Sequence, residues 1–399
     1  MVYDFAILGG GIIGTTLAYR IKKFFPDSKI ILIEKEKELA FHQTGHNSGV
    51  IHSGIFYPSN SLKAKLAIRG SFLMKEFCKN YGIPLKILGK LIIANSEKEL
   101  SILKIIYERG LKNGLKGLRV IGKEEIKEIE PNINAIKAIY VPEIGVTDFK
   151  KVVEKVASLF RNLGGEIAFS TLLRGIKREK NYIILETNRG DIKTFFLVTC
   201  AGLHSDRVAK MSEKNIFFKI VPFRGEYYKT NKKEIVQHLI YPVPNLRYPF
   251  LGVHITKNLN GEIEIGPNAF LSFSREGYKW HQFNFKDLFE VFNYSGFWRL
   301  AGKNWIIGAK EFLRTISKKI FLEEVNKILP GIKMEDIEKG KSGIRAQCVS
   351  IDGKLIDDFL FIISKNIIHV CNAPSPAATA SFAISEKIFE IVKKNLNLK

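Results

Sequence analysis

The stretch Tyr3-Asp-Phe-Ala-Ile-Leu-Gly-Gly-Gly-Ile-Ile-Gly14 decides the fold class of this chain. It begins as a short apolar run, and its glycines open a stretch compatible with a helix, Thr15 to Phe25. A second apolar run, 29–33, ends at Glu34. This order predicts a strand, a G-x-G-x-x-G turn, a helix and a second strand followed by an acidic residue.

Each glycine of the turn has its own physical role. Gly9 allows the tight turn, Gly11 lets the backbone approach a pyrophosphate, and Gly14 lets the helix pack closely on the strand. The helix N-terminus supplies free N–H groups and the positive end of its dipole to the phosphates. Glu34 can accept hydrogen bonds from the ribose hydroxyls of an adenosine. The sequence therefore predicts dinucleotide binding, and the alternative is a glycine-rich turn without a ligand.

The segment after Glu34 indicates which dinucleotide is bound. Residues 42–54 form a polar, glycine-rich loop without apolar periodicity. An NAD-binding domain would continue here with another strand and helix. A long polar loop at this point is typical of a flavoprotein, in which it wraps the pyrophosphate, the ribityl chain and the isoalloxazine.

The composition narrows the class of partner. The chain has 399 residues, enough for two or three structural units, and 46% hydrophobic residues, which excludes wholesale disorder. Its net charge of +22 requires an explanation, with nucleic acid, an anionic membrane and acidic small molecules as the options. Lysine alternates with glutamate, as in 34–38 and 124–130, rather than forming a basic stripe, so no nucleic-acid partner is expected.

The cysteines and the apolar stretches indicate the compartment. The four cysteines show no paired spacing, so neither a disulfide framework nor a metal site is expected. The N-terminus lacks the basic region of a signal peptide, and no stretch reaches the roughly 18 apolar residues of a membrane span. We expect a cytoplasmic protein, either free or held peripherally on the inner face of the membrane.

Several motifs along the chain together resemble one family. They are Glu34-Lys35-Glu36, His46-Asn-Ser-Gly-Val-Ile-His-Ser-Gly54, Cys200-Ala-Gly-Leu-His-Ser-Asp206, Ile265-Gly-Pro-Asn-Ala269, Gly343-Ile-Arg-Ala-Gln347 and Asn372-Ala-Pro-Ser-Pro-Ala-Ala-Thr379. With them the chain resembles the L-2-hydroxyglutarate dehydrogenases (oxidases), within the FAD-dependent family of D-amino-acid oxidase and glycerol-3-phosphate dehydrogenase. The early glycine motifs indicate only FAD, whereas the middle and late motifs resemble the 2-hydroxyglutarate group in particular.

The resemblance implies an α/β (α+β) fold with two interleaved domains. A Rossmann-like FAD-binding domain would be assembled from residues 1–90, 146–220 and 340–399. A substrate domain with a mixed sheet and helices would be built from residues 91–145 and 221–339.

The resemblance also implies a set of flavin contacts, with the FAD held non-covalently. Leu173 would meet the adenine through its backbone, and 374–377 would present N–H groups at a helix N-terminus to the N1/O2 edge of the ring. The expected cofactor-binding residues are Gly9, Gly11, Gly14, Glu34, Lys35, His46, Asn47, Ser48, Gly49, Leu173, Ala201, Gly202, Pro374, Ser375 and Ala377.

Oxidation of a 2-hydroxy acid needs a base for the hydroxyl proton and cations for the carboxylates. His52 is the first candidate for the base and His254 the second, because the ordinary pKa of histidine is about 6.5. The alternatives are that His52 only orients the flavin or its loop and that His254 caps a strand. Arg345 is the candidate for the α-carboxylate, since its planar fork can bond both oxygens, and a structural salt bridge is the alternative.

The second carboxylate of the substrate requires a further cation. Four residues are open as candidates: Lys63, Lys65, Arg247 and Arg275.

The expected reaction is oxidation of L-2-hydroxyglutarate to 2-oxoglutarate by hydride transfer from C2 to flavin N5, with quinone or oxygen taking the electrons. The alternative substrates are another 2-hydroxy acid, an amino acid or glycerol 3-phosphate. All three tryptophans fall in an aromatic and basic stretch, 280–305, which suits an interface with anionic lipid. The alternative is that this stretch is the apolar roof of the substrate domain.

Overall fold

The computed structural model describes residues 1–244 and 252–398. Over these residues the strands are β1 (Val2–Leu8), β2 (Ile30–Ile33), β3 (Val50–Ile51), β4 (Leu85–Ile87), β5 (Lys90–Ala94), β6 (Arg119–Gly122), β7 (Lys137–Val141), β8 (Gly145–Thr147), β9 (Glu166–Ala168), β10 (Leu173–Arg178), β11 (Ile183–Thr187), β12 (Ile192–Thr199), β13 (Phe218–Thr230), β14 (Leu239–Pro242), β15 (His254–Lys257), β16 (Ile263–Gly266), β17 (Phe270–Leu271), β18 (Ile337–Ser350), β19 (Leu360–Ser364) and β20 (Ile367–Asn372).

The helices are α1 (Ile12–Phe24), α2 (Leu62–Asn80), α3 (Glu97–Lys112), α4 (Lys123–Ile129), α5 (Phe149–Asn162), α6 (Ser205–Ala209), α7 (Phe285–Phe292), α8 (Ser295–Ile316), α9 (Lys318–Ile328) and α10 (Ala377–Asn395). Short 3₁₀ turns cover Gly202–His204 and Met334–Asp336.

The first sheet is built on the two strands predicted at the amino end. Its strand order is β10-β11-β12-β1-β2-β9, with β20 also on β12 and β19 on β20. β1 is parallel to β2 and β12, and the register pairs Leu8 with Ile33. Both strands therefore end at the same edge of the sheet, which places the glycine turn beside Glu34. The predicted α/β fold with a Rossmann-like start is confirmed.

Helices α1, α2, α5 and α10 pack around this sheet. Ile7, Leu17 and Ile384, from β1, α1 and α10, lie in one buried core cluster. Helix α5 begins at an N-cap, Asp148, whose carboxylate accepts hydrogen bonds from the N–H groups of Lys150 and Lys151. The cap satisfies two N–H groups that the helix itself leaves without an acceptor.

The second sheet is mixed. Its strand order is β17-β13-β16-β15-β14-β5-β7-β6, with β18 also on β13. β14 and β5 run parallel, whereas β13 and β18 form a long antiparallel pair. On the face toward α9, Ile93, Ile255 and Ile265 of the sheet pack in one buried cluster with Phe321 of that helix. A small third sheet, β3-β8-β4, lies in the polar-loop region.

One strand, β10, is not predicted by the sequence pattern. Three strands are predicted at 166–169, 182–187 and 194–199, and the structure adds β10 before the second of them. Its sequence, Leu-Arg-Gly-Ile-Lys-Arg, is charged and contains Gly175, and its pairing with β11 is irregular at that point. A β-bulge at glycine breaks the alternation that predicts a strand.

The predicted division into two domains stays a prediction. The boundary at residue 340 falls inside β18, which pairs along its length with β13 of the second sheet. Within the described ranges, no helix combines the length and apolar character needed to cross a bilayer.

Candidate active site

The glycine turn is shaped by close backbone approach. Gly9 has φ +108°, and a Cβ there would lie 2.3 Å from the carbonyl oxygen of Cys200. A Cβ on Gly14 would lie 2.0 Å from the Gly9 carbonyl oxygen. A Cβ on Gly11 would meet only Thr44 Oγ1 within 4 Å, at 3.4 Å. Gly9 and Gly14 thus serve packing, while the open side of Gly11 fits a phosphate group.

Glu34 is held at the end of β2 by backbone donors. Its Oε2 accepts from the N–H of Gly10 at 2.7 Å and its Oε1 from the N–H of Glu36 at 2.8 Å. The N–H of Thr171 donates to the Glu34 carbonyl, which brings the chain just before Leu173 alongside. This carboxylate and this backbone segment therefore lie together, as expected for the adenosine end of FAD.

Lys35 lies in a charge cluster. Its ammonium contacts Glu36 and lies 2.6 Å from Glu276, while His42 and His204 lie 2.9 and 2.8 Å from the same two carboxylates. Burial raises the pKa of Glu276, but the hydrogen bonds from His204 and Lys35 outweigh it and lower that pKa to about 2. Glu36, His42 and Glu276 have a spacing that could hold a metal ion. The Lys35 ammonium already contacts both carboxylates.

The polar loop is fixed by its own side chains. Asn47 donates to the Thr44 carbonyl at 2.6 Å and accepts from the N–H of Gly49 at 2.8 Å. Gly49 has φ +72°, and a Cβ there would lie 2.7 Å from the Thr147 carbonyl oxygen. The Asn47 side chain is therefore engaged in shaping the loop around Ser48. Its contact with FAD stays a prediction.

His46 lies in the polar loop, and the turn that follows β12 lies near it. The His46 ring stacks on Tyr278 at 3.9 Å and its Nδ1 lies 3.1 Å from the Ser342 carbonyl oxygen. The Ala201–Gly202 turn follows β12, and a Cβ on Gly202 would lie 2.8 Å from Gln43 Oε1. The Gly202 approach to Gln43 brings the predicted residues of segments 1–90 and 146–220 together.

The start of α10 presents fewer donors than its sequence suggests. Pro374 and Pro376 have no N–H, and the N–H of Ala377 donates to the Pro374 carbonyl at 3.0 Å. The donors of Ala378 and Thr379 lie in the first turn, where a helix offers no acceptor of its own. The predicted flavin contacts of Ala377 and Ser375 stay predictions, and the Ser375 carbonyl accepts a hydrogen bond from the Tyr57 hydroxyl at 3.4 Å.

His52 follows β3 and is tied to α10. Its N–H donates to Thr379 Oγ1 at 3.1 Å, and that hydroxyl donates to the Val50 carbonyl at 3.2 Å. Desolvation, with the nearby charges of Lys90 and His254, keeps the pKa of His52 well below its ordinary value. The imidazole is therefore neutral at neutral pH, as a general base must be.

His254 begins β15 on the second sheet. Its ring stacks on Tyr241 at 4.1 Å, and its Nδ1 lies 3.0 Å from the Gly252 carbonyl oxygen. Burial, followed by the charges of Arg345 and Lys90, lowers its pKa to about 3 against the opposing effect of the Gly252 carbonyl. His52 and His254 thus influence each other electrostatically from different sheets, and both are neutral.

Lys90 is a functional candidate that sequence reasoning missed. It is 1% exposed, and its Nζ lies 3.9 Å from the ring centre of Tyr241 and 5.4 Å from that of Phe56. Burial alone lowers its pKa to about 7. The available signal was a lysine opening an otherwise apolar strand, Lys90-Leu-Ile-Ile-Ala94, whose every residue is buried.

Arg345 lies on β18 opposite Phe223 of β13. Burial lowers its pKa, and the neighbouring Tyr227, Glu311 and Tyr241 act in the opposite direction. Burial also raises the pKa of Tyr227 to about 12, so this hydroxyl keeps its proton. Arg345 is therefore a cation close to Tyr241 and to His254.

Of the other candidate cations, Lys63 lies close enough for its charge to lower the pKa of His52, after burial and the charges of Lys90 and His254. Lys63 pairs with Asp357 at 2.7 Å, and Lys65 is exposed. Arg275 is 1% exposed and bonds Asp206 through both terminal nitrogens, so its role is structural. Arg247 lies outside the described residues.

A surface cavity lies away from this site, at the opposite end of β1. It measures about 890 Å³ and lies at the amino end of β1, lined by residues such as Phe5, Phe24 and Tyr182. The glycine turn lies at the carboxyl end of the same strand. The chemistry-bearing residues instead meet between the start of α10 and one face of the second sheet.

Taken together, the site combines two neutral imidazoles with two cations, the buried Lys90 and the partly buried Arg345. Such an arrangement can remove a proton from a bound hydroxyl and hold negatively charged groups on either side of it. The glycine turn and Glu34 supply a dinucleotide cradle on the first sheet.

Comparison with known proteins agrees with this construction. The FAD-dependent oxidoreductase family matches residues 4–391. The chain is 44% identical over 393 residues to an L-2-hydroxyglutarate dehydrogenase of Indibacter alkaliphilus, covering 98% of each protein. It is 41% identical over 415 residues to the mitochondrial L-2-hydroxyglutarate dehydrogenase of Homo sapiens, covering 99% of this chain and 90% of the human protein.

Solved structures share the fold. An L-α-glycerophosphate oxidase of Mycoplasma pneumoniae with FAD bound superposes with a TM-score of 0.79 at 22% identity, covering 100% of this chain and 96% of the other. Glycine oxidase of Geobacillus kaustophilus gives a TM-score of 0.74 at 17% identity, with 98% and 95% covered.

Proposed function

The chain belongs to the FAD-dependent oxidoreductase family, and from this premise we propose that it oxidises L-2-hydroxyglutarate to 2-oxoglutarate. The similarity to L-2-hydroxyglutarate dehydrogenases extends over nearly the whole chain. The single structural observation that carries the proposal is the pair of neutral imidazoles, His52 and His254, near the cations Lys90 and Arg345. A dicarboxylate with a hydroxyl to deprotonate matches that arrangement.

FAD is the cofactor of this family, and this chain has residues that fit it. Glu34 would receive the adenosine, the turn at Gly11 the pyrophosphate, and the first turn of α10 the flavin ring. When bound, FAD supplies the acceptor for the hydride that leaves C2.

The residues of the chain provide binding and proton transfer. His52 Nδ1 or Nε2 would take the hydroxyl proton, with His254 as the second candidate for that role. Arg345 would hold the carboxylate next to C2 through both oxygens. The apolar and aromatic surroundings exclude water, which strengthens each of these charge interactions.

The substrate assignment is tested by flavin reduction. Anaerobic mixing with L-2-hydroxyglutarate should bleach the flavin absorbance, whereas the D-enantiomer, glycerol 3-phosphate and amino acids should leave it unchanged. A flavin that stays oxidised with L-2-hydroxyglutarate but is reduced by one of the others would reject this substrate in favour of that compound.

We propose further that the reduced enzyme passes electrons to quinone or oxygen at the cytoplasmic face of the membrane. Helices α7 and α8 support a membrane contact, because exposed aromatic side chains lie on them beside exposed cations. The aromatic residues are Phe285 (87% exposed), Phe289 (68%), Trp298 (57%) and Trp305 (67%). The exposed cations are Lys286, Arg299, Lys303 and Lys310. Aromatic and basic groups together suit the interface of an anionic bilayer.

Liposome flotation tests this contact. The protein should float with vesicles that contain anionic lipid and less with neutral ones, and Trp305→Ser with Ile306→Ser should reduce flotation. Phe72→Ser, which removes a comparably exposed aromatic ring from α2, is the matched control. Equal flotation of all variants, or none by the unaltered protein, would contradict a lipid contact through these helices.

A further inference from the structure

Lys90 differs from the other buried lysines in what surrounds its ammonium. Lys22 donates to two backbone carbonyls at 2.7 Å, and Lys63 pairs with Asp357 at 2.7 Å. In the part of the chain that the structure describes, the Lys90 ammonium contacts two aromatic rings but makes neither a hydrogen bond nor an ion pair. A buried ammonium without an anion is costly, so a ligand that brings the anion is the natural complement.

Lys90 and Arg345 lie near the same two side chains, Tyr241 and His254. The Tyr241 ring contacts both the Lys90 ammonium and the His254 imidazole. His254 experiences the charges of Arg345 and Lys90, and Tyr241 experiences that of Arg345. His254 and Tyr241 therefore lie within electrostatic range of both cations.

The strand register explains this grouping. Ile92 of β5 pairs with Tyr241 of β14, and Ile240 pairs with Ile255. Because successive side chains of a strand alternate between faces, Lys90, Tyr241 and His254 all point to one side of the second sheet. A molecule lying along that face would reach both cations.

We propose that Lys90 binds the distal carboxylate, at C5, and thereby makes the site specific for a dicarboxylic 2-hydroxy acid. The inference rests on the proposed function, in which Arg345 holds the C1 carboxylate and the C2 hydroxyl lies at the imidazoles. The planar fork of arginine suits the carboxylate whose orientation must be fixed at the reacting carbon. The lysine, a flexible point charge, suits a carboxylate at the far end of a three-carbon chain.

The test compares two substrates that differ only in this carboxylate, L-2-hydroxyglutarate and L-2-hydroxypentanoate. Lys90→Met should lower kcat/KM for the dicarboxylate about 100-fold, the range for loss of one partner of a buried charge pair. Its kcat/KM for the monocarboxylate should change less than about threefold, because no charge pair is lost there. Lys98→Met, which removes an exposed lysine from α3, should leave both values unchanged.

Binding without turnover gives a second readout. Calorimetric titration of the FAD-loaded protein with 2-oxoglutarate and with 2-oxopentanoate should show the same selective loss in Lys90→Met. An equal loss for both ligands, or no loss for 2-oxoglutarate, would overturn the role of Lys90.

The pH dependence of the unaltered protein gives a third readout that requires no variant. With its pKa near 7, the Lys90 ammonium is lost as pH rises from about 6 to 9, so the preference for 2-oxoglutarate over 2-oxopentanoate should fall. The groups that face it are His52, His254 and the Tyr241 hydroxyl. His254 has a pKa of about 3 and the pKa of His52 lies well below its ordinary value, so both stay neutral in this range.

The Tyr241 pKa is raised far above that range by burial, so the Tyr241 hydroxyl keeps its proton. A preference that does not change with pH would contradict the assignment.

The outcomes separate this inference from the proposed function. If the unaltered protein does not oxidise L-2-hydroxyglutarate, the proposed function fails. If it does, and Lys90→Met handles both substrates like the unaltered protein, only the assignment of Lys90 fails.

Discussion

At the scale of single residues, burial decides the protonation states on which the proposed chemistry depends. Desolvation keeps His52 and His254 neutral and brings the pKa of Lys90 to about 7. The sequence pointed to the two histidines because they lie in recognisable motifs. Lys90 was missed because it is one of 62 basic residues, and its one distinguishing signal is that it opens an otherwise apolar strand.

The role of His52 as base leads to a prediction at this scale. His52→Gln should lower kcat for L-2-hydroxyglutarate by about 10²–10⁴-fold, the contribution of a positioned general base. Flavin content and binding of 2-oxoglutarate should stay close to those of the unaltered protein, because the Thr379 contact uses the backbone N–H of His52. A kcat within a few-fold of the unaltered value would transfer the role to His254, and His254→Gln is the companion variant.

At the scale of elements, the sequence predicts a helix or strand well when the signal lies within a few neighbouring residues. Helix α10 runs Ala377–Asn395, and the sequence predicts a closing helix there because the stretch starts after Pro376 and repeats apolar residues at helical spacing. Helix α5 starts at Asp148, a predicted cap. Strand β10 was missed because its irregular pairing at Gly175 interrupts the alternation of side chains.

The cap of α5 can be tested against a matched position. Asp148→Ala should lower the free energy of unfolding by about 1 kcal/mol, because two backbone N–H groups lose their acceptor. Ser96→Ala, at the N-cap of α3, should have a smaller effect since the Ser96 side chain makes no cap hydrogen bond. Urea unfolding curves measure both values, and equal losses would show that the cap bond is not the cause.

At the scale of the whole molecule, buried ion pairs join segments that follow different sheets. Asp206 of α6, after β12 of the first sheet, binds Arg275, which follows β17 of the second. Burial alone would raise the pKa of Asp206, but the Arg275 guanidinium outweighs it and lowers that pKa. The stability from this pair is therefore present above the ordinary pKa of aspartate, near 3.9, and is lost as pH falls below it.

Breaking this pair should destabilise the molecule. Arg275→Met leaves the Asp206 carboxylate buried without its partner, which should cost about 3–5 kcal/mol. Arg119→Met breaks an exposed pair with Glu125 and should cost less than about 1 kcal/mol. The two unfolding free energies at neutral pH check this, and a similar small cost for both would show that the buried pair contributes little.

By itself, the sequence determined the nucleotide turn, the order of the first strands and helix, the closing helix and the family. These depend on glycine stereochemistry, side-chain periodicity and motifs within a few neighbouring residues. Only the tertiary structure decided that Lys90 lies beside Tyr241 and His254, and that Arg275 is a structural cation. Those groupings depend on the order of strands in the second sheet and on burial, which arise when segments distant in sequence pack together and exclude water.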